Sequence, residues 1–131
     1  MLSVTDIRNA SIRFPCFSCE CEDEGYTIIM VSPTKIFQYW EKHNWYQRSP
    51  YVTSYKHDLP FDGCGERALS IVMAGNNNIT LPAIELTLFN NRLGFPDGRH
   101  RVMVTHCLGI PLIPAKVKKL DSSKIEALLA N

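Results

Sequence analysis

The stretch that most limits how this chain can fold is Leu93 to Pro114, LGFPDGRHRVMVTHCLGIPLIP. Its pattern predicts a strand end, a tight Asp97-Gly98 turn, a buried helix of about eleven residues and a second apolar strand. Three consecutive side chains that can carry positive charge, Arg99, His100 and Arg101, stand where the turn becomes the helix. Aligned peptide dipoles place about half a positive charge at that end, so cations there are disfavoured unless an anion sits with them. The free N–H groups of a first helical turn, next to a glycine that lets the backbone approach a ligand, form a ready anion site. The stretch therefore reads as a phosphate-binding loop built from Asp97, Gly98, Arg99, His100 and Arg101. A plainer reading stays open beside it: Asp97 caps the helix through its side-chain oxygen, while Arg99 and Arg101 pair with carboxylates on a solvated surface.

The segment DGRHR, followed by a helix and LGIPLIPAKV, resembles the signature of the ParB/sulfiredoxin-like superfamily, whose members carry a G-x-H-R or G-E-R-R loop ahead of a short helix and a strand. Within that superfamily the chain looks like the plasmid fertility-inhibition proteins of the Osa type. The resemblance covers Ile79 to Val117, roughly the C-terminal third. It implies an α/β (α+β) domain of ParB/sulfiredoxin type, a small mixed sheet with flanking helices, whose loop binds nucleotide or nucleic-acid phosphates. It further implies ATPase or nuclease activity, with ATP or another nucleotide and Mg2+ as the cofactors to expect. The implied role is plasmid-borne inhibition of conjugative DNA transfer, with nucleotide, DNA or a protein of a conjugation or secretion system as partner. Two departures narrow this. Sulfiredoxins carry a reactive cysteine directly before the His-Arg pair, where this chain has Arg99, so sulfinic-acid reduction is not expected. A GERR box would place Glu at Arg99 and Arg at His100, and a partition protein with a helix-turn-helix half is not expected.

At 131 residues, 45% hydrophobic and 21% charged, the chain reads as one domain, 1–131, able to bury about two thirds of its unfolded surface. A net charge of +1 gives no global pull towards nucleic acid or anionic lipid, so phosphate binding has to be local. No apolar run approaches the roughly 20 residues of a membrane span, and MLSVTDIRNASIRF lacks the charged-then-apolar order of a secretory signal. The expectation is a cytoplasmic protein without membrane insertion. Five cysteines are an odd number, and no disulfide framework is expected. Cys16, Cys19 and Cys21 form CFSCEC, which lacks a second paired C-x-x-C; no metal centre is assigned, and zinc with Cys64 or a histidine stays an alternative.

In chain order, Ser11 to Cys21 and Tyr26 to Val31 predict an antiparallel pair turning at Glu22 to Gly25. Ser32 and Pro33 open a helix to His43 whose aromatic face, with Phe37, Tyr39 and Trp40, reads as core rather than as a base-stacking platform. Asn44 to Gly63 reads as a long loop, in which Arg48, Lys56 and His57 are candidates to edge the phosphate site. Gly65 to Ala74 predicts a second helix, with Glu66 in its first turn. Leu81 to Phe89 predicts a strand, Asn90-Asn91 a primed hairpin turn, and Arg92 a partner for Glu85 across it. Gly109 reads as a C-terminal cap and Ile110 to Val117 as a strand near a sheet edge, because of Pro111 and Pro114. Ser123 to Glu126 reads as a capping box before a last helix.

In the chemistry this arrangement implies, Arg99 and Arg101 neutralise phosphate oxygens, and Gly98 admits backbone donors. His100 donates to phosphate or serves as acid/base. Glu66 is the catalytic carboxylate candidate, and Glu66 and Asp97 are the first choices to hold a divalent ion. A non-catalytic protein that blocks a protein partner is the alternative, because no complete set of acid, base and metal ligands is visible. A small-molecule kinase would need an acceptor pocket that no second group of residues supplies.

Overall fold

Four helices lie on one face of a mixed four-stranded sheet, and the computed structural model describes residues 15–43 and 65–130, with backbone only for Trp40, Glu41, 65–69 and 95–97. In chain order the elements are β1 (Cys16–Phe17), β2 (Tyr26–Val31), α1 (Pro33–Lys42), α2 (Gly65–Ala74), β3 (Thr80–Leu81), β4 (Ile84–Phe89), β5 (Arg92–Asp97), α3 (Arg99–Leu108), β6 (Ile113–Lys118), a 3-10 turn (Lys119–Asp121) and α4 (Ser122–Ala130). The main sheet has the order β2-β6-β4-β5. β6 is antiparallel to β2 and parallel to β4, and β4 is antiparallel to β5. This is an α+β domain.

Local chemistry sets the helix ends. Ser32 caps α1, its Oγ accepting from Lys35 N–H at 3.2 Å, and Pro33 takes the first helical position, where a missing N–H costs nothing. Gly109 ends α3 in the left-handed region at φ 74°, donating back to His106 O. Asn90 and Asn91, at φ 52° and 60°, form the primed turn between β4 and β5. The core is one cluster in which Ile84, Leu86, Ala115, Val117 and Leu93 from the sheet meet Ile36, Val72, Met103 and Ile125 from the helices. Tyr39 is 8% exposed and its hydroxyl accepts from Leu93 N–H at 3.1 Å, so an α1 side chain satisfies a buried donor of β5. α4 packs its Ile125 and Leu129 into this core.

Several tertiary expectations are corrected. β1 does not pair with β2; it runs parallel to β3, Cys16 opposite Thr80. The acidic turn between β1 and β2 is drawn instead to β6, where Asp23 binds Lys116 and Gly25 O accepts from Lys119 N–H. The predicted Leu81–Phe89 strand is interrupted at Pro82-Ala83, and Thr80–Leu81 belongs to the other sheet. β6 is interior rather than near an edge. Its ladder with β4 starts at Ala115, one residue after Pro114, so the missing proline N–H interrupts no bond there. Arg92 faces Phe89, and Glu85 faces Asp97 beyond a bulge, so Glu85 and Arg92 are not opposite each other. α4 begins at Ser122, whose Oγ donates to Lys119 O, which places Ser123 and Glu126 inside the helix and removes the capping box. The long-loop reading of Asn44 to Gly63, and Arg48, Lys56, His57 and Cys64, lie outside the described residues.

Gly98 is the position with least freedom. It sits at φ 110°, and a Cβ there would lie 2.6 Å from Ile84 Cβ. Gly109 shares the left-handed conformation but has nothing within 4 Å of a Cβ. Gly109→Ala should therefore cost about 1–2 kcal/mol from backbone strain alone. Gly98→Ala should cost that plus about 1–3 kcal/mol of overpacking. Urea denaturation of both variants checks the difference, and equal losses would refute the Ile84 contact. His43 gives a second expectation. Its ring packs on Tyr39, centroids 4.1 Å apart, and its pKa is lowered, first by burial and then by Arg92 and Lys42. The folded state thus resists protonation, so this contribution to stability is complete above the ordinary value of 6.5 and declines as pH falls below it. His43→Gln should flatten that part of the pH–stability curve.

Candidate functional site

The candidate loop is the junction of β5 and α3. Asp97 is the last residue of β5, Gly98 is the N-cap of α3 without a side-chain cap hydrogen bond, and the first turn of the helix contains no acidic residue. The N-cap is thus a residue with no side chain, and the turn closes through its carbonyl, which accepts from Val102 N–H at 3.0 Å; the Asp97 side chain lies outside the described residues. A glycine is needed there because its backbone lies directly on Ile84 of β4. α3 itself is buried almost all round, with Val102, Met103 and Val104 fully inaccessible, so its N-terminal donors are fixed in place by packing.

The three basic residues divide by environment. Arg99 and His100 are half-buried in the first turn, and the Nε2 of His100 is turned inside the protein. Arg101 is 7% exposed and donates from one terminal nitrogen to Pro82 O at 2.6 Å and Ala83 O at 3.1 Å. That nitrogen is committed to the protein itself: it ties the break between β3 and β4 to the helix that carries the loop. Glu66 lies in the first turn of α2, a helix packed against α3.

The register also gathers charges that the sequence reading left apart. Ile28, Lys116, Glu85 and Asp97 occupy one row across the four strands, and Gly98 follows Asp97 directly. Lys116 binds Asp23, lies 3.8 Å from Glu85, and stands 5.0 Å above the Tyr26 ring. Its pKa is raised, first by the hydrogen bond to Asp23, with partial burial opposing, and then by the charges of Asp23, Glu85 and Cys21. The sequence signal was a lysine alternating with apolar residues in IPAKVK, which marks the face of β6 opposite the core. At the far end of α3, His106 Nδ1 is hydrogen-bonded to Thr34 Oγ1 at 3.0 Å and its ring stacks on Phe37 at 4.5 Å. Phe37 is thereby a helix–helix contact rather than a platform for bases.

Among the described residues no three His, Cys, Asp or Glu side chains converge on a metal-sized site; Cys16 and Cys19 are exposed and Cys107 is buried. Among the same residues no helix is long and apolar enough to cross a membrane. Comparison with family models, with curated proteins and with solved structures finds no match to this chain. What the geometry defines is an α+β domain with a basic helix N-terminus seated on the first residue of the interior strand β4.

The tie made by Arg101 can be measured. Arg101→Met keeps the aliphatic stem and leaves two carbonyls without this donor, which should cost about 1–3 kcal/mol. Arg101→Lys should recover part of the loss, and an unfolding midpoint identical to wild type in both would remove the tie from the account.

Proposed function

We propose that this chain binds a phosphorylated ligand, a nucleotide or the phosphates of DNA, at Gly98, Arg99 and His100. The observation that carries the reading is the composition of the α3 N-terminus: a left-handed glycine without a side-chain cap, two half-buried residues that can be cationic, and no acidic residue in the turn. Phosphate oxygens would accept from the first-turn N–H groups and from the Arg99 guanidinium. Arg101 acts here by holding the Pro82-Ala83 turn against the helix rather than through the nitrogen that bonds those carbonyls. An Nε2 held inside the protein transfers no proton to a ligand outside it, so acid/base work by His100 would fall to Nδ1.

The resemblance to the ParB/sulfiredoxin-like superfamily supports the same loop and supplies the wider proposal: an ATPase or nuclease, acting in the cytoplasm as an inhibitor of conjugative DNA transfer. Mg2+ would take carboxylates as its hard oxygen donors. Asp97 would hold it, with Glu66 the other candidate, and the ion would neutralise charge on the phosphates. A second reading, a non-catalytic protein that blocks a protein partner, is favoured by the apolar side chains of Phe89 and Leu120, which are 73% and 93% exposed.

A thermal-shift screen against ATP, CTP, GTP, AMP, phosphate, and single-stranded and duplex DNA, each with and without Mg2+, tests the first reading. At least one ligand should raise the melting temperature, and Arg99→Ala should weaken that ligand by about tenfold, equivalent to about 1.4 kcal/mol. No shift with any of them would move the assignment to the protein-blocking reading, in which Arg99→Ala leaves biological activity intact.

A further inference from the structure

β2 is an edge of the main sheet: among the described residues it pairs with β6 and with no other strand. Lys119 N–H donates to Gly25 O in the same register that sets Tyr26 opposite Lys118. Hydrogen-bonded and non-bonded pairs alternate along an antiparallel ladder, so Thr27, Ile29 and Val31 exchange bonds with β6. Ile28 and Met30 therefore turn their N–H and C=O groups to the outer edge. Among the described residues that edge carries none of the devices that keep strands apart. YTIIMV has no charge and no proline, and it follows β6 rung for rung without a bulge.

We propose that this edge is the interface of a homodimer, in which β2 pairs antiparallel with β2 of a second copy and Ile28 faces Ile28. Facing positions in an antiparallel pair add to a constant, so the same register sets Tyr26 opposite Met30 twice, once on each side of the two-fold axis. These rungs are one aliphatic pair and two aromatic–thioether pairs, on the sheet face away from the helices, and they cover Met30, which is 50% exposed. The flanks complement each other as well. Glu22, Asp23 and Glu24 precede β2, whereas α1 follows it and has no acidic residue in its first turn. Antiparallel pairing brings the start of each strand beside the end of the other, so each acidic turn approaches the positive end of the second copy's α1. The second copy supplies all of these complements from the same residues, and a two-fold contact of this kind closes on itself rather than growing into a fibre.

Sedimentation velocity of the full chain over about a hundredfold dilution series, reaching high micromolar concentrations, tests this. Wild type should shift from dimer to monomer on dilution. Ile28→Lys and Ile28→Glu each place like charges face to face across the axis and should sediment as monomers, and their equimolar mixture should restore the dimer. Ile28→Pro removes an outward N–H while the donors to β6 stay on Thr27, Ile29 and Val31; it too should be monomeric, with a circular dichroism spectrum like that of wild type. A wild-type chain that stays monomeric throughout, or a dimer that survives both Ile28→Pro and Ile28→Lys, overturns the proposal. So does a mixture of folded Lys and Glu variants that fails to associate.

Discussion

The contact between Gly98 and Ile84 is the point from which the rest of the molecule is arranged. It presses the start of α3 onto the first residue of β4, and the remaining helices then pack around α3 and the sheet. A helix buried along most of its length depends on how its two ends are finished, where four N–H and four C=O groups lack partners within it. At the C-terminal end Gly109 reverses the chain and returns hydrogen bonds. At the N-terminal end the cap is a glycine, which has no side chain to perform the equivalent task, and the positive end of the dipole stands among basic residues. Stability and the proposed chemistry meet at this glycine, because the residue that seats the helix on Ile84 is also the first residue of the proposed site.

What could be read from the sequence was what neighbours in the chain decide. Ser32 and Pro33 start a helix through their own atoms, Asn90 and Asn91 turn because asparagine tolerates positive φ, and Gly109 ends a helix by itself. Apart from the start of α4, which Ser122 takes one residue ahead of the expected capping box, the differences concern partners far away in sequence. Nothing in CFSCEC states that its strand lies beside Thr80, and nothing in IPLIP states that its prolines precede a ladder rather than border solvent. The candidate loop was legible for the same local reason, as a glycine followed by three basic residues. The division of labour among those three was not, because Arg101 owes its burial to carbonyls that lie eighteen and nineteen positions back.

Charge placement follows the same logic. Lys116 alternates out of the core onto a face where Asp23 and Glu85 already stand, so one ammonium answers two carboxylates from different strands and turns. That row runs from β2 to the residue before Gly98. The acidic turn is fastened at the sheet centre by it, and the β1–β2 hairpin that the sequence suggests loses its turn to β6.

The strand order has a consequence in time. Among the described residues β2 finds its ladder with β6 alone, and Ile29 waits for Ala115, 86 positions later. The intervening residues, which include the α3 loop, must be made before β2 can dock. On a ribosome the first strand of the main sheet therefore emerges long before its partner, and the last strand synthesised is the one that joins β2 to β4. Native-state closure is a late, non-local event, the kind of pairing that sets a slow folding rate.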